Sequence, residues 1–266
     1  MLDIQHLTIE FATRTERVCA VNDVSLSIGA GEMLGLVGES GSGKTTLGLA
    51  VTRLLPEPPA IIRQGAVHFQ GRDLLQQPLR TLHRVRGGDI AYVFQEPATS
   101  LNPVLTVGRQ LVEMLELHTA QRGRAAQQAA MGLLQRVGIP AAEARLRSYP
   151  HELSGGTKQR IMIAMAIASQ PRLLIADEPT TALDVTLERQ IVALLKQLQR
   201  DFSLSMLVIS HNIHLIRQLA DRLAVMWQGQ IVEVGPAQRV LQQPQHDYTK
   251  HLLAAQPRVA GLAGGA

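Results

Sequence analysis

The chain has 266 residues, enough to bury a sizeable core as one large domain or two modest ones, and with 45% hydrophobic and 18% charged residues its composition is that of a globular protein, not a disordered or fibrous one. Its net charge of +4 is spread along the sequence without a dense basic run, so the excess reads as a solvated surface and no nucleic-acid partner is expected. The single cysteine, Cys19, excludes an internal disulfide and an all-cysteine metal cage, and is expected to be a small packing residue.

The first residues, MLDIQHLTIEF, are polar where a signal peptide would be continuously apolar, so no export is expected. LTIEF and VNDVSLSI alternate apolar and polar residues, which predicts a small antiparallel sheet from the first thirty residues. Short, nearly continuous apolar runs at 33–37, 90–94, 173–176 and 206–209 predict buried strands of a largely parallel sheet. Leu47, Val51 and Leu54, and again Leu187, Ile191, Leu194, Leu195 and Leu198, recur at helical spacing. Between Glu96 and Glu152 the chain is rich in Leu, Ala, Gln and Arg with Pro at its margins, and reads as helices inserted into the sheet domain. LAVMWQ and IVEVG flank Gly229 as a hairpin, and the final VAGLAGGA has little to bury and is expected to fray. The longest apolar run, 161–168, is far short of the roughly 20 residues that span a bilayer, so a soluble chain is expected. The fold class predicted is α/β, with a mainly parallel core sheet.

The segment from Gly38 to Thr45, GESGSGKT, matches G-x-x-x-x-G-K-[ST] between an apolar strand and a helical pattern. Glycines at 38, 41 and 43 let the backbone curl so that successive N–H groups point at phosphate oxygens, and the following helix adds the positive end of its dipole. Gly38, Ser40, Gly41, Ser42, Gly43, Lys44, Thr45 and Thr46 are therefore the candidate nucleotide-binding residues. Lys44 is expected to bridge the β- and γ-phosphates, and the Thr45 hydroxyl to ligate Mg²⁺. LLIADE ends an apolar strand in two carboxylates, and strand carboxyl ends are where open α/β sheets bind ligands. Asp177 is the candidate Mg²⁺ holder, and Glu178 the candidate base that orients or deprotonates an attacking water.

Between these elements lies LSGGTKQR, from Leu153 to Arg160, in which Ser154, Gly155 and Gly156 lead into an apolar helix and converge hydroxyl, bare N–H groups and dipole on one point. This stretch resembles the signature of the ABC ATPase family, and the resemblance covers essentially residues 2–257. It implies an ABC-type phosphate-loop ATPase over 1–257, with a helical subdomain inserted at about 96–160 and a flexible tail at 258–266. In that family the Ser-Gly-Gly tip faces the γ-phosphate held by a second ATPase subunit, so two chains sandwich ATP head to tail. Gln95 resembles the glutamine that senses Mg²⁺ and the attacking water, TALD ending in Asp184 resembles the loop that reaches across the dimer, and His211 matches the histidine that contacts the γ-phosphate. Phe11 stands where the family stacks an aromatic on adenine. Thr157 departs from the Gln or Met usual at the fifth signature position.

VFQEPATSLNPVLTVGRQL and PQHDYTKHLLAAQPR look most like the ATPase subunits of peptide and nickel importers. The resemblance then implies a peripheral subunit at the cytoplasmic face of the cell membrane. Its partners would be a second, non-identical ATPase subunit, two permease subunits and an extracytoplasmic solute-binding protein. An exporter ATPase and a soluble ABC-type ATPase of DNA repair or translation stay open at this point.

Overall fold

The computed structural model describes residues 1–13, 15–181 and 183–255, without the side chains of residues 97 and 98; the tail expected at 258–266 lies outside the described residues. Its strands are β1 (Leu2–Ala12), β2 (Arg17–Ile28), β3 (Met33–Val37), β4 (Ala60–Phe69), β5 (Arg72–Asp73), β6 (Ile90–Val93), β7 (Leu173–Asp177), β8 (Ser205–Ile209), β9 (Arg222–Trp227) and β10 (Gln230–Pro236). The helices α1 (Lys44–Ala50) and α2 (Leu79–Val85) precede β6. Five more separate β6 from β7: α3 (Pro97–Ser100), α4 (Val107–His118), α5 (Gly123–Arg136), α6 (Ala142–Leu146) and α7 (Gly155–Ile167). The chain then adds α8 (Val185–Phe202), α9 (Ile213–Leu219), α10 (Ala237–Gln242) and α11 (Asp247–Ala254).

A six-stranded sheet in the order β10-β9-β3-β8-β7-β6 forms the centre, parallel except for β10, and all four apolar runs of the sequence lie in it. These strands are buried on both faces, as continuous apolar sequence requires. Their period of two sorts the side chains: Leu34, Leu36, Leu173, Ile175, Leu207 and Ile209 face α1, α2 and the second sheet. Met33, Val37, Leu174, Ala176, Met206 and Val208 face α8, α9 and the inserted helices. Asp177 and His211, at and beyond the carboxyl ends of β7 and β8, thereby emerge at one edge of the layer.

The second sheet is antiparallel, in the order β2-β1-β4-β5, so the sheet expected from the first thirty residues also takes in residues 60–73. Register shifts in β1 and β4 break the strict alternation that would have revealed β4 in sequence. Cys19 corrects another expectation: it is exposed, because β2 is an edge strand whose first three residues lie beyond the packed layer. Helix α1 ends at Ala50, sooner than the Leu47-Val51-Leu54 spacing suggests; the turn that follows puts Arg53 at φ 51° and leaves Leu54 on the surface. The hairpin at Gly229 forms as expected, with Gln228 and Gly229 both at positive φ, the two-residue turn that suits the right-handed twist of its strands.

Candidate active site

The loop from Gly38 to Gly43 leaves the carboxyl end of β3 and enters α1, and its glycines have separate reasons to be there. A Cβ on Gly43 would stand 2.1 Å from the carbonyl oxygen of Ala20 at φ 104°, whereas Gly41, at φ 81°, faces open space. The turn of the β9–β10 hairpin props the loop from below, since the Gly229 N–H donates to the Ser42 carbonyl at 3.1 Å. Lys44 is buried and folds back over its own loop, its ammonium donating to the carbonyls of Gly38 (2.9 Å) and Glu39 (2.7 Å) and to the Ser42 hydroxyl (3.3 Å). Burial lowers its pKa, against the pull of the carboxylates of Glu178, Asp177 and Glu39.

Opposite stands Asp177, 2% exposed, with Oδ2 accepting from the Tyr92 hydroxyl at 2.8 Å. Burial pushes its carboxyl above the ordinary aspartate range, while the Tyr92 and Thr45 hydroxyls and the Lys44 ammonium favour the ionised form. Among the described residues its Oδ1 is buried without a hydrogen-bond partner. An orphaned carboxylate oxygen close to a threonine hydroxyl at the mouth of a phosphate loop is a donor set that fits a hard divalent cation such as Mg²⁺, which binds through one or two carboxylate or hydroxyl oxygens plus water and phosphate. Among the described residues no cluster of three His, Cys, Asp or Glu side chains forms a metal cage, and Mg²⁺ of this kind needs none.

Glu178 follows at φ 49°, a left-handed conformation that costs a non-glycine residue about 1 kcal/mol and is a mark of functional positions. Its N–H donates to Ile209 across the strand ends at 2.9 Å. Oε1 accepts from the His211 backbone N–H at 2.9 Å and meets His211 Nδ1 at 2.8 Å; Oε2 accepts from the hydroxyls of Ser210 and Thr181, both at 3.3 Å.

Lys44, Thr45, Asp177, Glu178 and His211 are thus one cluster on the loop-bearing edge of the sheet. Gln95 is exposed two residues past β6, whose Val93 pairs with Ala176 beside Asp177. Ser154 and Asp184 belong to their own helices as N-caps: Ser154 Oγ accepts from Thr157 N–H (3.3 Å) and lies 2.9 Å from the Thr157 hydroxyl, and Asp184 accepts from Leu187 N–H (2.8 Å). Gly155 is exposed at the tip of α7, and Gly156 packs where a Cβ would touch Leu187 at 3.0 Å. Phe11 is half-buried near the end of β1, packed on the core shared by the two sheets.

Three supporting residues, Tyr92, Ser210 and Gln110, escape a sequence reading, and a fourth, Thr181, opens the TALD stretch without any sign there that it serves Glu178. Tyr92 is a lone phenol in an apolar strand, the one visible signal among them. Ser210 and Thr181 flank Glu178. Gln110, buried in α4, ties down the loop that follows Gln95 through the Asn102 N–H and the carbonyls of Asn102 and Leu105, all near 3 Å.

Comparison with known proteins places this geometry in context. The family described as "ABC transporter" matches residues 21–181. The chain is 50% identical to the peptidoglycan transport ATP-binding protein YejF of Agrobacterium fabrum over 258 residues, covering 97% of this chain and 47% of that protein. It is 45% identical to the oligopeptide transport ATP-binding protein OppD of Bacillus subtilis over 257 residues, covering 97% and 72% of the two. The chain spans about half the length of the YejF proteins of Agrobacterium fabrum and Escherichia coli. Among solved structures, a dimeric post-hydrolysis state of the ATP-binding cassette MJ0796 bound to ADP and Pi superposes with a TM-score of 0.80 at 27% identity, covering 89% of this chain and 99% of that one. The antiparallel sheet, mainly parallel core and helical block described above are those of the same cassette fold.

Proposed function

The chain belongs to the ABC transporter family, and on that premise we propose that it is the ATP-binding and ATP-hydrolysing subunit of a peptide importer. The observation that carries the chemistry is the single cluster in which a phosphate loop with a buried lysine faces Asp177, with its orphaned oxygen, and Glu178, already paired with His211. All three protons of the Lys44 ammonium are engaged by the loop, so at least one of these bonds is exchanged when a γ-phosphate enters. Thr45 and Asp177 would hold Mg²⁺, which supplies charge neutralisation on the phosphates. Glu178, aimed by the hydroxyls of Ser210 and Thr181, is the base that positions the attacking water. His211 and Gln95 border the same space.

Residues 1–257 then act as one nucleotide-binding unit with the helical block at about 96–160 inserted. Ser154, Gly155 and Gly156 present an anion-binding helix tip on that block, and Asp184 starts a neighbouring helix. The dimeric state of MJ0796 bound to ADP and Pi supports a pair of ATP-binding subunits; in this reading the pair is head to tail, the tip completes the site of a second subunit non-identical to this one, and Phe11 lies against adenine. Among the described residues no helix is long and apolar enough to cross a membrane, so permease subunits would supply the path, with this chain peripheral at their cytoplasmic side and a solute-binding protein outside. The cargo named for relatives is peptide or peptidoglycan, which supports peptides over nickel complexes.

Isolating the tagged chain from its own membranes is expected to recover two membrane-spanning proteins and a second ATP-binding chain. In vesicles the assembly is expected to hydrolyse ATP faster when its binding protein carries peptide. A chain recovered alone, or hydrolysis indifferent to peptide, would sink the importer reading.

A further inference from the structure

We propose that Tyr248, some two hundred residues from the phosphate loop in sequence, is a positioning residue of the nucleotide site: its hydroxyl oxygen accepts from the backbone N–H of Glu39 at 3.0 Å and so fixes the entrance of the loop. The inference rests on the reading of 38–45 as the nucleotide loop. Tyr248 is 9% exposed and held from two sides. Its ring stacks on Trp227, the end residue of β9, with centroids 5.3 Å apart and planes 23° from parallel. The chain entering α11 is clamped to β10, because the carboxylate of Glu233 accepts from the backbone N–H groups of Gln245 (3.0 Å) and His246 (3.1 Å). Phenol, indole and carboxylate thus form a rigid bracket between the hairpin and the loop, one that no local sequence pattern requires.

The Glu39 peptide shows why the bracket matters. Its carbonyl accepts from Lys44 Nζ at 2.7 Å and from Ser42 N–H at 3.2 Å, while its N–H is held by Tyr248. When Lys44 gives up a loop contact to reach phosphate, the phenol is a constraint on this peptide that need not change. The cradle then meets the ligand preformed, so its ordering is not charged against binding. Burial raises the Tyr248 pKa, which keeps the group a neutral phenol at neutral pH.

The test uses the full chain with ATP as the probe. Tyr248→Phe keeps the ring and its stack on Trp227, the only tryptophan, whose fluorescence reports that the stack survives. Expected is an ATP Kd raised about fivefold, the loss of one neutral hydrogen bond, with the melting midpoint and the Trp227 emission of the nucleotide-free chain nearly unchanged. Wild-type affinity in Tyr248→Phe would overturn the proposal. Lys44→Ala separates the two readings: if it loses ATP and Tyr248→Phe does not, the bracket alone fails, whereas ATP binding unchanged in Lys44→Ala removes the loop reading and the proposal together. Should Tyr248→Phe fail to fold, amide exchange in the unsubstituted chain decides, since a Glu39 N–H exchanging as fast as an open loop amide contradicts the contact.

Discussion

Nδ1 of His211 lies 2.8 Å from Oε1 of Glu178, and the same oxygen takes the His211 backbone N–H, so one residue grips the carboxylate twice. At this distance a proton lies between Nδ1 and Oε1, so the tautomer of the imidazole and the carboxylate's hydrogen bond are fixed together. The carboxylate side of the pair is nearly buried, at 11% exposure, and the imidazole side is open, at 63%.

Glu178→Gln should abolish turnover and leave nucleotide binding intact. The amide oxygen can still accept from His211, and the amide nitrogen can donate to the Ser210 and Thr181 hydroxyls, so the site keeps its shape and loses only the proposed base. A fall in phosphate release on the order of 100-fold or more is expected, with ATP affinity near that of the wild type. Full hydrolysis by the variant would refute Glu178 as the base.

Asp177→Asn separates stability from function. The folded pKa of Asp177 stands above the 3.8 of an ordinary aspartate, so the folded state holds the proton more tightly than the unfolded chain. That contribution is fully present below pH 3.8 and lost as pH rises through the folded value, beyond which the buried charge is a cost. At pH 7 the nucleotide-free variant should melt higher, by roughly 2–4 °C for each kcal/mol relieved, while the extra stabilisation that Mg²⁺ and ATP give the wild type should disappear. A variant that melts lower and still responds to Mg²⁺ would show that the carboxylate is satisfied by other means.

Ser154→Ala should do two things of unequal size. Loss of the N-cap of α7 costs about 1 kcal/mol in a denaturation midpoint, and ATP turnover in the assembled transporter should fall by a further factor on the order of 100 if the hydroxyl also serves a phosphate. Thr157→Val removes the hydroxyl that lies 2.9 Å from Ser154 Oγ and is expected to give a weaker loss of the same kind, with Thr157→Ser restoring it. Turnover unchanged in Ser154→Ala would leave the serine as a helix cap alone.

Gly41 and Gly43 should not be equally replaceable. Alanine at 41 meets nothing within 4 Å among the described residues and pays only for positive φ, about 1–2 kcal/mol in a urea titration. Alanine at 43 adds a collision with the backbone of Ala20, so its cost should exceed about 3 kcal/mol and extend to ATP affinity. Equal costs would mean that the strand carrying Ala20 gives way easily.

What the sequence settled by itself is whatever a few consecutive residues decide through their own backbones. Four apolar runs became the parallel core because such runs are stable only when both faces are covered, and GESGSGKT, LLIADE and LSGGT could be read because loop curvature, strand ends and helix tips are local properties. Tertiary structure alone decided which distant side chains serve those motifs. Tyr92 reaches Asp177 across 85 positions, Ser210 reaches Glu178 across 32, and Tyr248 reaches Glu39 across 209. The same holds for β4, which joins β1 in the antiparallel sheet, and for Cys19, which a packing rule would bury and an edge strand exposes. A hydrogen bond needs two groups about 3 Å apart, and only the packed sheets and helices bring those groups to that distance.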